Sequence, residues 1–182
     1  MKNLNLNLPF VLNLVFFQIV WFSCVVGAGA YDLHWLALGA MVPLLVLTWF
    51  SPIRRADLAL ATVALCVGLL IDNVWVKAGI LVYPDYTFAP YWIGLLWVGL
   101  GLTINHSMAL FRDHTLIGSL VVGAFAPVTY LSGERFGSVM VQDLALTPLI
   151  CVSWFVLFYG LSKWALAMTQ TEQVRLEARE QT

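Results

Sequence analysis

Charge is what this chain has least of. Aspartate, glutamate, lysine and arginine make up 10% of its 182 residues, against 61% hydrophobic residues. Soluble domains carry roughly 25% charged and about 45–50% apolar residues, so this chain has too few ionic groups to cover a water-facing surface. That excludes a cytosolic enzyme, a disordered chain and a secreted disulfide scaffold. The 9 basic and 10 acidic residues leave a net charge of −1, which offers a polyanion no attraction and excludes a nucleic-acid partner. Cysteine is also scarce. Cys24, Cys66 and Cys151 stand alone inside apolar runs, without zinc or redox spacing, and read as small buried hydrophobes. There is no HExxH, no GxSxG, no P-loop and no histidine pair at ligand spacing. The sequence therefore calls for no metal and no cofactor.

What it has in quantity is long apolar runs. A hydrocarbon core ~30 Å thick needs about 20 mostly apolar residues per helix. Six such runs are present, at about 9–28, 33–50, 58–76, 90–111, 116–131 and 144–167. Barrel strands would instead show segments of ~10 residues with strict alternation. The expectation is an all-α polytopic membrane bundle of six transmembrane helices, forming one integral membrane domain over 1–182 with a polar cytoplasmic tail at 169–182. Glu172 and Arg175 share a helical face in that tail, so it reads as a solvated continuation of the sixth helix. Lys2 and the small residues at 27–30 also resemble a cleavable signal peptide. The first run is longer than such a signal's apolar region and is interrupted by Asn13 and Gln18, which favours a retained helix.

Short cytoplasmic loops are enriched in lysine and arginine. With the N-terminus inside, Lys2, Arg54, Arg55, Arg112, Lys163, Arg175 and Arg179 face the cytoplasm, and only Lys77 and Arg135 lie opposite. The chain therefore reads as N-in, C-in. Trp35, Trp49, Trp75, Trp92 and Trp164 fall near helix ends and suggest an interfacial belt; Trp21, Trp97 and Trp154 lie deeper and read as packing residues or the walls of a pocket.

Ionisable groups in lipid cost several kcal/mol, ~2.5–3.5 on insertion scales, and need a partner or a cavity. Asp72 is the prominent case. Residues 58–71 before it carry no charge, about 21 Å of helix at ~1.5 Å per residue, which puts Asp72 in the outer half of the bilayer. Lys77 points about 140° away on an ideal helix and is expected to snorkel outward, leaving Arg135 as the expected counter-ion. Two readings stand: a structural ion pair, or an outward-facing ligand site built from Asp72, Asn73, Tyr130, Glu134 and Arg135. A second polar cluster, Asn105 and His106, falls in the inner half, with Gln18 and Asn13 at comparable depth. Gly94, Gly101, Asn105 and Arg112 would share one face of a continuous fourth helix and admit a close neighbour.

Four stretches carry a resemblance. They are Phe17-Gln18-Ile19-Val20-Trp21-Phe22; Asp72 with Gly79 and Pro84; residues 90–97 running into Leu102-Thr103-Ile104-Asn105-His106-Ser107; and residues 123–137, from Gly123 through Pro127, Tyr130, Glu134 and Arg135 to Gly137. Together they resemble a family of small proteobacterial inner-membrane proteins whose domain has no assigned function. The resemblance implies a multi-pass protein of the bacterial inner (plasma) membrane and carries no biochemical activity. The functional expectation is a protein that binds or moves a lipid or other small amphiphile, with membrane lipids as partners and a homodimer as a way to widen the pocket. An intramembrane lipid-modifying enzyme using His106 or Asp72, and a structural partner of a membrane complex, are the alternatives.

Overall fold

A computed structural model describes residues 8–180. Lys2, the side chain of Arg179 and residues 181–182 lie outside what is described. Helix α1 (Leu8–Tyr31) contains a π-helical stretch at Ser23–Ala28 and ends where Asp32 turns left-handed, φ 55°. Helices α2 (His34–Trp49) and α3 (Arg54–Lys77) follow. After α4 (Tyr91–Gly101) and the single turn of α5 (Ala109–Asp113) come α6 (Thr115–Phe136) and α7 (Thr147–Glu180). A two-stranded antiparallel ribbon, β1 (Leu81–Val82) against β2 (Met140–Val141), ties the loop after α3 to the loop after α6.

The fold is all-α apart from that ribbon. Four helical segments are long and apolar enough to cross a membrane: Leu8–Tyr31, Arg54–Lys77, Thr115–Phe136 and Leu144–Arg175. Helices α2 and α4 are shorter. Large apolar side chains line the outside along whole helices, among them Leu70, Ile117 and Phe125. Water would penalise that surface and hydrocarbon does not. Cys66 belongs to this exposed surface, contrary to the expectation that all three cysteines are buried; all three are free thiols.

The fourth apolar run is where the sequence expectation fails most clearly. The helix stops at Gly101, and residues 102–108 run through tight turns closed by Thr103 N–H to Leu100 O, His106 N–H to Thr103 O and Met108 N–H to Thr103 O, each 3.0 Å. Gly94, Gly101, Asn105 and Arg112 therefore do not form one helical face. Thr103, Asn105 and Ser107 are side chains that compete with helical backbone bonding; Thr103 donates to Leu100 O at 2.7 Å, and the tertiary partners of Asn105 and Ser107, described below, favour the unwound path. The fifth run is longer than expected. Helix α6 continues through Pro127 to Phe136, so Glu134 and Arg135 sit in its last turn and not in a loop. Helix α7 carries on unbroken through the polar tail, with Arg175 3.5 Å from Glu172.

The closest helix pairs are α6 with α7 and α3 with α4. A Cβ at Gly101 would lie 2.5 Å from the Ala61 Cα, so α4 reaches the α3 backbone only because position 101 has no side chain. Gly101→Ala should force the two helices apart and cost about 1–3 kcal/mol, as overpacking does. The expected readout is a lowered unfolding midpoint in detergent, while Gly39→Ala, where a Cβ would meet nothing within 4 Å, should leave the midpoint unmoved or raised.

Candidate functional site

Helix α3 carries a buried carboxylate near each end. Asp57 and Asp72 are separated by about 22 Å along the axis at ~1.5 Å per residue, and their exposures are 0% and 1%. Each collects hydrogen bonds from a different part of the chain.

At the Asp72 end the donors are aromatic. Tyr83 and Tyr130 hydroxyls donate to Asp72 Oδ1 at 3.1 and 3.0 Å, and the Trp97 indole N–H donates to Oδ2 at 2.6 Å. Trp154 in turn donates to the Tyr130 hydroxyl at 3.4 Å and stacks on Trp97 with ring centroids 4.7 Å apart. Tyr83 is held edge-on to Trp92 at 5.6 Å. Burial, followed by the neighbouring Asp72 carboxylate, pushes the Tyr83 hydroxyl well above the ordinary phenol range, so Tyr83 stays a donor. Helix α3 makes room for Trp97 one turn before Asp72: a Cβ at Gly68 would fall inside the Trp97 ring.

The expected partnership between Asp72 and Arg135 is overturned. Arg135 is exposed in the last turn of α6, and the carboxylate is met by phenols and an indole instead. The reason is the longer α6, which keeps Arg135 on the helix surface while Tyr130, one turn earlier, points inward. Asn73 and Glu134 stand beside the site as loop anchors. Asn73 donates to Leu69 O at 2.7 Å and accepts the Ala89 N–H at 3.0 Å; Glu134 accepts the Val141 N–H at 3.1 Å. They hold the ribbon and the loop that carries Tyr83 over Asp72.

Below Asp72 lies a cavity of about 250 Å³. It follows α4 from Trp92 past Leu96 and Leu100 to Met108, with Trp154 on its far wall. Four of the eight tryptophans line it, including Trp92, which the sequence pattern assigned to the interfacial belt. Trp75 is likewise buried, whereas Trp35 and Trp49 are exposed at helix ends. Helices α1 and α6 close together near Asp72, where the Trp21 and Phe136 rings are 6.5 Å apart. The cavity is bordered by Phe17 of α1 and by Phe125 of α6, which is 64% exposed; both lie mid-helix. Among the described residues, Asp72 is the cavity's one charged wall residue, and the lining contains no lysine, arginine or histidine.

At the other end, Asp57 accepts from Ser51 Oγ and Asn105 Nδ2, each at 2.9 Å, and lies 2.9 Å from His106 Nε2. Asn105 Oδ1 accepts from Arg112 at 2.7 Å and from Thr169 at 3.3 Å. Beside it, Asn13 Oδ1 accepts the Ser107 hydroxyl at 2.6 Å and its N–H at 3.2 Å, while Asn13 Nδ2 donates to Leu102 O at 3.2 Å. These bonds join α1, α3, α7 and the unwound 102–108 segment. Gln18 takes no part; it is exposed on α1. Among the described residues no serine, threonine or cysteine donates to His106, and no metal-binding cluster is present. This end is a polar lock.

Two substitutions test the sites separately. Gly68→Ala should displace the Trp97 indole, break its bond to Asp72 and cost about 1–3 kcal/mol, with a shift in tryptophan emission. Asp57→Ala should strand the donors of Ser51, Asn105 and His106 and cost about 3 kcal/mol. Thr62→Ala, which removes an exposed hydroxyl bonded only to its own helix, should stay within about 0.5 kcal/mol; all three are read from unfolding midpoints.

No curated protein and no solved structure matches the chain. A family described as "Protein of unknown function (DUF2878)" matches residues 10–168, which contain both carboxylate sites. The chain belongs to this family.

Proposed function

We propose that this is a six-span protein of the bacterial inner membrane, with both ends cytoplasmic, whose cavity binds a small amphiphile arriving from the lipid phase. One observation carries the reading: a buried carboxylate lines a largely apolar cavity whose wall includes the exposed, mid-helix Phe125, and the ligand's entry between α1 and α6 is part of the proposal. Ligand pockets combine apolar walls with a few placed polar groups. An amphiphile lying in this one would set its polar end against Asp72 and its chain along Leu96, Leu100 and Met108 toward Phe125. A chain arriving from hydrocarbon gains no water-to-apolar transfer energy, so contact with the walls and the pairing of its polar end supply the binding.

The orientation is supported by where the cations fall. Arg54, Arg55 and Arg175 line one groove at the Asp57 end, and Arg112 bonds Asn105 there, while Lys77 lies at the Asp72 end. The positive-inside bias then puts Asp57 at the cytoplasmic face and Asp72 toward the outside. Helices α2 and α4 supply the two shorter crossings, the latter completed by 102–108 and α5. The buried indole N–H of Trp92 has no acceptor among the described residues.

Filling the cavity tests the proposal. Ala126 is buried and lines it. Native mass spectrometry of protein purified in a mild detergent should show a small amphiphile on the wild type and at least tenfold less on Ala126→Phe. Equal occupancy of the two, or none on either, would remove the proposal.

A further inference from the structure

We infer that the ligand of the Asp72 cavity is a lipophilic cation, an alkylammonium whose positive charge has no anionic group beside it. This rests on the reading of the cavity as an amphiphile site and adds the charge class. A carboxylate taken out of water needs compensation, and charges inside proteins are usually paired. Asp72 has three neutral donors and no cation: none of its hydrogen-bond partners is basic, and none of the residues lining the cavity is. Among the described residues no positive partner reaches Asp72, and the cavity beside it has room for a ligand that brings one.

The surrounding groups fit that charge. An ionised carboxylate offers about four acceptor directions. Oδ1 takes two hydroxyl protons and Oδ2 takes one indole N–H, so Oδ2 retains a direction for an ammonium N–H. Trp92, Trp97, Trp154, Tyr83 and Tyr130 line the same cavity, and aromatic faces attract cations, most strongly where water is excluded. An anionic head would meet Asp72 with like charge. A zwitterionic head would bring a phosphate that finds no lysine or arginine in the lining. A neutral alcohol would use the hydrogen-bond direction and leave the charge uncompensated. The cavity of about 250 Å³ suits a single short chain, which can extend through the proposed entry between α1 and α6.

Four probes of related chain chemistry separate these cases: octylamine, 1-octanol, octanoate and lysophosphatidylethanolamine. Binding is followed by intrinsic tryptophan fluorescence of the full chain in dodecyl maltoside, a neutral detergent, with protein-free micelles as the partition reference. Octylamine, protonated at pH 7, should bind at least tenfold tighter than octanol, and octanoate weakest of all. In Asp72→Asn the preference for octylamine over octanol should fall to about one. The wild-type series decides the question even where that variant fails to fold. Octanol binding as tightly as octylamine, or a preference that survives Asp72→Asn, overturns the cation inference and leaves the amphiphile reading standing. Tighter binding of lysophosphatidylethanolamine than octylamine overturns it in favour of a lipid headgroup. If none of the four binds, the amphiphile reading itself falls.

Discussion

A carboxylate without water has to be met by donors, and helix α3 buries one near each of its ends. Much of the architecture follows from supplying those donors. At Asp72 they arrive from three elements: the loop after α3, helix α4 and helix α6. At Asp57 they come from the α2–α3 turn and from the unwound stretch after α4. In hydrocarbon an unsatisfied polar group costs several kcal/mol. Each cluster therefore fixes its neighbours as firmly as an apolar core does, and with more directional demand. Helix–helix packing in lipid lacks a hydrophobic drive between helices and leans on close contact and polar bonds; here Gly101 and Gly68 supply the first and the two aspartates the second.

The two ends are built from different chemistry. Asp57 is enclosed by amide, hydroxyl and imidazole groups that are further bonded to Arg112 and Thr169, and the result is closed and cross-linked. Asp72 is enclosed by ring systems whose polar atoms point at the carboxylate and whose rings line the cavity. A polar lock and a cavity share one rod: the first immobilises α3, so the second keeps its geometry without needing solvent to hold it.

The helical character of the chain and the standing of Asp72 are legible in the sequence, because run length and an isolated charge in an apolar run are one-dimensional signals. What holds Asp72 is not. Tyr83 lies eleven residues on, in a loop whose path is set by pairing between Leu81–Val82 and Met140–Val141, and Trp97 reads as packing until Gly68 is seen to leave it space. Arg135 is the cation left once Lys77 is turned away and misleads for that reason: the choice between Arg135 and Tyr130 depends on which side of α6 faces inward. Asp57 is hidden differently. It follows Arg54 and Arg55 and precedes the apolar run, so it looks like a solvated first-turn acid of the kind that favours a helix start. The break after Gly101 also escapes a reading by hydropathy. Residues 102–104 are as apolar as many helices, and the turn is decided by Asp57 and Asn13, which lie far away in sequence.

Ligand entry between Phe17 and Phe125, as proposed, would change what concentration means for this protein. A molecule reaching the cavity that way is drawn from the leaflet, where lipophilic solutes accumulate far above their aqueous level. Occupancy then tracks how much of a compound has dissolved in the bilayer, and a short chain that stays in water would hardly be sampled however well its head fits. On the proposed reading the membrane is the first filter on the ligand, and the aromatic walls around residue 72 are the second.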